Sequence, residues 1–284
     1  MPPPRVSFPV FERDYYIGIL EVDRVFGNFQ NAQSLSFDGF GDVYIADADA
    51  PGIYKFTRKG DSLRSVIGVG SSHGQFDSPS DIDALLTNSI AVADKNNHRI
   101  EIYSRDLIWQ ASIGGHLLGS KIQFGSPMAV RAASSGYFYL IDGENRRLIG
   151  VNPTTGIQQP INTNGSTLGL DLRPQSIAID AGEYVNVADA NFRAIINFNN
   201  ALSPIKQIRF SPANEARLTT SEDNLIVFDS RSNTIRLFNF RDLSYLGSYS
   251  LPKEARNAVM VTLHNDLFYV LCKDRVVVCS IHRT

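Results

Sequence analysis

Residues 92–103 read VADKNNHRIEIY and place an aspartate, a histidine and an arginine within six positions, between two apolar runs. Groups this close can serve acid–base chemistry, which needs them within hydrogen-bond reach. The same string also reads as strand, turn, strand. Self-similarity separates the two readings. The segments VYIADADAPGIYKF (43–56), IAVADKNNHRIEIY (90–103), FYLIDGENRRLIGV (138–151), VNVADANFRAIINF (185–198) and LIVFDSRSNTIRLF (225–238) share one plan: apolar run, Asp, polar turn, apolar run.

The aspartates are Asp47, Asp94, Asp142, Asp189 and Asp229, in steps of 47, 48, 47 and 40 residues. A sixth, eroded copy, FYVLCKDRVVVCSI (268–281), carries Cys272 in the aspartate position 43 residues later. Periods of this size belong to four-stranded propeller blades or to helical repeats. The apolar spacing of 2 and the wealth of Val, Ile, Tyr and Phe select strands. Each unit gains an upstream strand, marked by proline in SPSDIDAL (78–85), SPMAVRAA (126–133) and RPQSIAID (173–180), and a fourth such as WQASIG (109–114). Proline suits a strand's first residue, where no ladder donor is lost. The sixth unit ends after three strands, so YYIGILEV (15–22) is expected to supply its outer strand and close the ring, leaving no unpaired last edge.

The expected fold is therefore all-β, a six-bladed β-propeller of four-stranded antiparallel blades. Residues 1–14 read as a proline-rich linker and 15–284 as a single domain. Cys272 and Cys279 flank one hairpin turn without facing each other, so buried free thiols are expected rather than a disulfide.

The unit Asp94, Asn97, Arg99, Ile100 and its copy Asp142, Asn145, Arg147, Leu148 resemble the NHL repeat, as do Phe76 to Pro79 and Phe124 to Pro127 upstream of them. The resemblance covers the chain from about Arg24, with the second and third copies matching well. It implies a rigid ring whose loop face carries recognition. Some NHL propellers bind RNA on a basic, aromatic-studded face, but charges over the six turns cancel here. Lys95, His98, Arg99, Arg146, Arg147, Phe192, Arg193 and Arg231 form the candidate binding arc on that face.

The repeated aspartates read as turn anchors, since Asp accepts hydrogen bonds from the amides of its own turn. Two sets of residues are candidates for holding a metal. His73, His98 and His116 fall on loops near the second unit, and three histidines can hold zinc. Six-bladed lactonase- and esterase-like propellers hold an axial metal at the entries of the innermost strands. The corresponding positions here are Gln33, Ser80, Met128, Gln175, Glu215 and Asn257, with Asp81 one step further. Only Glu215 and Asp81 are charged in that row, fewer carboxylates than a calcium site wants.

With 27 basic and 29 acidic residues among 284, the chain lacks the positive excess typical of nucleic-acid or anionic-membrane binding, and no run of apolar residues is long enough for a membrane span. Enzymatic activity is left open. The sequence expectation is a monomeric, non-catalytic scaffold that binds a protein or peptide on its turn face, with no cofactor. The alternatives are a metal-dependent lyase or hydrolase of propeller type and a single-stranded RNA binder.

Overall fold

The computed structural model describes residues 16–84, 89–114, 124–152, 158–161, 172–180, 182–191, 193–199, 202–209, 216–221 and 224–282. The expected linker 1–14 lies outside them. The chain opens with β1 (Tyr16–Phe26). The first sheet is β2 (Ala32–Phe37), β3 (Val43–Asp47), β4 (Gly52–Phe56) and β5 (Ser62–Ile67). The second is β6 (Pro79–Ala84), β7 (Ser89–Asp94), β8 (Arg99–Ser104) and β9 (Trp109–Gly114). The third is β10 (Pro127–Ala132), β11 (Phe138–Asp142), β12 (Arg147–Val151) and β13 (Gln158–Ile161). The fourth is β14 (Pro174–Ile179), β15 (Val185–Asp189), β16 (Ala194–Phe198) and β17 (Pro204–Arg209). There follow β18 (Ala216–Ser221), β19 (Asn224–Asp229), β20 (Thr234–Asn239) and β21 (Tyr245–Ser250). After one turn of 3-10 helix at Lys253–Ala255 come β22 (Ala258–His264), β23 (Leu267–Cys272) and β24 (Val276–His282).

The second and third strands of each sheet are mostly apolar because both of their faces are covered. β3, β11 and β15 are buried at every residue, whereas the outermost β5 is exposed along nearly all its length. One apolar cluster joins Tyr44, Ala46 and Ile53 to Ile82, Ile90 and Val92 of the next sheet, and the same arrangement recurs around the molecule. The circuit closes where Leu35, Val43 and Ile45 pack with Met260, Tyr269 and Leu271. The first strands β2, β6, β10, β14, β18 and β22 each lie against the next, and β22 lies against β2.

β1 pairs antiparallel with β24, Leu20 opposite Ile281 and Val22 opposite Cys279, so the chain start supplies the strand that the last unit lacks. It also does something the sequence did not foretell. β1 outruns β24, and its first residues run parallel to β21, Ile19 opposite Ser250. The last two units are thereby merged into one eight-stranded sheet, in the order β18-β19-β20-β21-β1-β24-β23-β22. Two outer edges that would each present unpaired ladder groups satisfy one another. Cys272 and Cys279 are buried and free, with the Cys272 N–H bonded to the Arg275 carbonyl across the hairpin (2.8 Å).

Leu20 is buried in the cluster formed by Tyr249, Val277 and Cys279. Leu20→Ala is expected to cost about 2–5 kcal/mol, seen as a lower urea midpoint with an unchanged slope. An unchanged midpoint would mean that β1 lies outside the cooperative unit.

Candidate active site

The two ends of the first strands have different chemistry. At their starts stand the repeated aspartates, each opposite a first residue: Asp47 opposite Ala32, Asp94 opposite Pro79, Asp142 opposite Pro127, Asp189 opposite Pro174. All are buried. Each also accepts from the loop that enters its own sheet. The N–H of Gln30 and that of Asn31 donate to Asp47 (2.7 and 3.0 Å), that of Asp77 to Asp94 (2.8 Å), that of Gly125 to Asp142 (3.1 Å) and that of Arg173 to Asp189 (2.5 Å). Asn97 and Asn145 add side-chain donors at 2.7 and 2.8 Å, and the Arg99 and Arg147 Nε atoms close the set at 3.0 and 2.9 Å.

This bonding determines what the candidate arc can offer. Arg99 is buried, shared between Asp94 and Glu101 (2.8 Å), and its remaining nitrogens donate to the carbonyls of Ser71, Ser72 and Gln75. Arg147 is tied to Asp142. Lys95 is half-buried, whereas Arg146, Arg193 and Arg231 are exposed on three different sheets. Phe192 lies outside the described residues. His98, Arg146, Arg193 and Asn233 occupy the same turn position and share a left-handed backbone, with φ of 54°, 50°, 48° and 56°. His98 thus has a place in the repeat: it fills a left-handed turn position, which His and Asn tolerate better than most side chains.

Neither metal set assembles among the described residues. His73 stacks on Trp109 of the outermost strand β9, with ring centroids 3.7 Å apart, and His116 and Glu215 lie outside the described residues. Among the described residues no three His, Cys, Asp or Glu side chains are grouped to hold an ion. Asp81 is spent on the protein: it accepts from Ser34 Oγ (2.5 Å), from the Val130 N–H (2.9 Å) and from Arg131 (2.6 Å). The row of strand entries also slips. Gln33, Ser80, Met128 and Gln175 are the bulged second residues of their strands, where the register shifts. In the last unit the bulge falls at Val259, not Asn257, and Arg217 takes the place in the fifth given to Glu215. Those two units have no proline to mark the strand start, so a two-residue slip is invisible in sequence.

At the other end, the last residues of the first strands enclose a cavity of about 490 Å³ on the ring axis. Its wall includes Ser36, Asp38, Asp83, Arg131, Asp180, Thr220 and His264, none of which belongs to the turn-face set. Pairing registers set Ser36, Asp83, Arg131, Thr219 and Thr262 at one level, each three residues before its unit's aspartate position on the neighbouring strand. His264 lies nearer the mouth. Its imidazole stacks flat on Phe37, centroids 4.2 Å apart, and burial, with Arg58 nearby, pushes its pKa down against the opposing pull of Asp38. The ring is therefore neutral at pH 7. Burial pushes the Asp83 carboxyl above its ordinary value, although Arg131 and the Ala132 N–H (2.9 Å) pull the other way. A neutral imidazole, a carboxyl inclined to hold its proton and a guanidinium thus share one wall.

No protein-family model matches the chain, and no curated protein matches it in sequence. Solved structures do match in shape. A catalytically inactive histidine-to-alanine variant of virginiamycin B lyase from Staphylococcus aureus, with quinupristin, superposes with a TM-score of 0.63 at 12% identity, covering 88% of this chain and 80% of that one. A streptogramin B lyase structure gives 0.59 at 11%, covering 91% and 97%. The nidogen/laminin complex gives 0.60 at 18%, covering 78% and 81%. The fold is a β-propeller. The expectation of a non-catalytic scaffold is corrected by these matches, because the shared architecture includes lyases and the propeller carries acid–base groups in its axial cavity. The sequence missed His264, Asp83 and Arg131; the one signal of Asp83 and Arg131 was a polar residue between apolar neighbours in a first strand. No helix among the described residues is long and apolar enough to cross a membrane.

Asp38 provides a pH test of the cavity rim. Burial pushes its pKa up, but Arg105, the Asp42 and Phe40 amides and Tyr44 outweigh that, and the net shift is downward. A depressed carboxyl stabilises the fold above its unfolded value and loses that contribution as pH falls through the folded one. Asp38→Asn is therefore expected to melt lower than the parent at pH 7, with the gap narrowing at pH 3. A gap that stays constant would remove Asp38 from the acid response.

Proposed function

We propose that this chain is a lyase of propeller type that acts in the axial cavity, and that residues 15–284 form one six-bladed domain of the NHL type. The closed ring of six first strands supports the blade count, with the eight-stranded sheet counted as two blades joined by β1. The recurrence of Asp, Asn and Arg at 94, 97, 99 and at 142, 145, 147 supports the NHL reading. The observation that carries the activity is the neutral His264 on the cavity wall with Asp83 and Arg131.

A lyase must remove a proton from carbon and expel a leaving group without water. His264 takes the proton from the carbon next to a carbonyl, and the C–H electron pair becomes the new double bond. The bond from the adjacent carbon to the leaving oxygen breaks, and that oxygen takes a proton from Asp83. Return of the proton from His264 to Asp83 through solvent resets the site. A base that is neutral near pH 7 and an acid with a raised pKa meet the needs of such paired transfer. Arg131 favours the negative charge that builds on the carbonyl oxygen. Asp81, the described member of the expected axial pair, does not fit a metal-dependent route, because both of its oxygens are already committed.

Quinupristin and virginiamycin B are the first substrates to try, followed by chromatography with mass detection. His264→Ala is expected to lower turnover by about 10²–10⁴-fold, and the acid limb of the rate profile should have its midpoint below the ordinary imidazole value of 6.5. Dialysis against a chelator should leave the rate unchanged. Full activity in the His264→Ala variant would sink the assignment.

A further inference from the structure

The turn between β2 and β3 holds an exposed aromatic ring at the cavity mouth. Asp38 and Gly39 line the cavity, and Phe40, the next residue, is 68% exposed. A lone exposed apolar side chain is ordinary on a protein surface. Phe40 differs in how firmly it is held. The Arg105 guanidinium carbon lies 3.8 Å from its ring centroid, covering one face. Arg105 is in turn fixed by Asp38 (2.6 Å) and Asp42 (2.8 Å), and Asp42 also meets Lys55 (3.1 Å). The backbone beneath is set by the Phe40 and Asp42 N–H groups, both donating to Asp38 at 2.9 Å.

The same turn touches His264. Phe37, the last residue of β2 before it, carries the stacked imidazole. Gly41, with φ of 88°, passes so near that a β-carbon there would lie 3.4 Å from His264 Nε2. The end of β2 and its five-residue turn thus support the imidazole and display a flat ring beside it, backed by a cation and open on its other face.

We propose that Phe40 is a specificity-determining platform, and that the ligand of this cavity carries an aromatic ring that stacks on the open face of Phe40. The assignment rests on the cavity being the active site, but its test needs no turnover. A rigid aromatic surface binds a second ring with little ordering cost, and offset stacking selects planar groups over branched aliphatic ones.

The probes are N-acetylphenylalaninamide and N-acetylleucinamide, titrated into the full chain with ligand-observed NMR. The aromatic amide is expected to bind at least tenfold more tightly than the aliphatic one. Phe40→Ala and Phe40→Leu should abolish that preference, and Phe40→Trp should keep it. Because Phe40 is exposed, the variants should melt with the parent, which confirms that folding is intact. Equal binding of the two probes by the parent chain, no binding of either, or a preference that survives Phe40→Ala would overturn the proposal. Aromatic selectivity without any loss of turnover in His264→Ala would leave the platform standing and remove the lyase reading.

Discussion

Every sheet in this ring has an inner edge with no strand beyond it. The first strands face the axis, and their outward-pointing backbone groups cannot be left bare. The molecule answers with side chains from the neighbouring first strand. Asp81 and Asp83 accept from the Val130 and Ala132 N–H groups, Ser36 Oγ from Ala84 and Ser176 Oγ from Leu218, while Thr219 and Thr220 donate to the Val261 and Ile179 carbonyls. These short polar residues do the work of a missing ladder. They also fix the character of the cavity, since a ring laced this way must place carboxylates and hydroxyls around its axis.

The opposite end solves another problem. There the turn of each of the first four sheets is bound to the loop that enters it, and one buried carboxylate in each does it. An aspartate that accepts from two to four donors has little left for a ligand, and the arginines that complete the set are held just as firmly. That is why the more obvious charged motif is spent on holding turns to loops. Asp94, Arg99 and Glu101 form a closed account, with the Trp109 Nε1–H on Glu101 at 2.5 Å.

What could be read from the sequence follows from this division. The second strands are covered on both faces, so they appear as apolar runs, and in five units each ends on the turn aspartate. Those two signals are local, and they gave the all-β plan and the partnership of the chain start with β24. The parallel joint of β1 with β21 was hidden, because it depends on where two edges meet in space. The cavity was hidden for a related reason. Ser36, Asp83 and Arg131 alternate with apolar neighbours, and that pattern looks the same whether the polar face meets bulk water or an enclosed axis. His264 sits at the end of a strand in the most eroded unit, where no repeat marks it.

The two carboxylates of β6 differ in how far their neighbours satisfy them. Asp81 has three donors within 2.9 Å, one of them the Arg131 guanidinium. Its negative charge is matched where it stands. Asp83, two residues on and on the same face, has one firm donor in the Ala132 N–H and a long contact with Ser36 Oγ at 3.4 Å. Arg131 is already committed to its neighbour, so Asp83 feels that charge without a bond to it, and burial prevails. Equal side chains one pleat apart thus end with opposite roles. The first is bonded through both oxygens by ring closure, and the second lines the cavity with its pKa raised by burial.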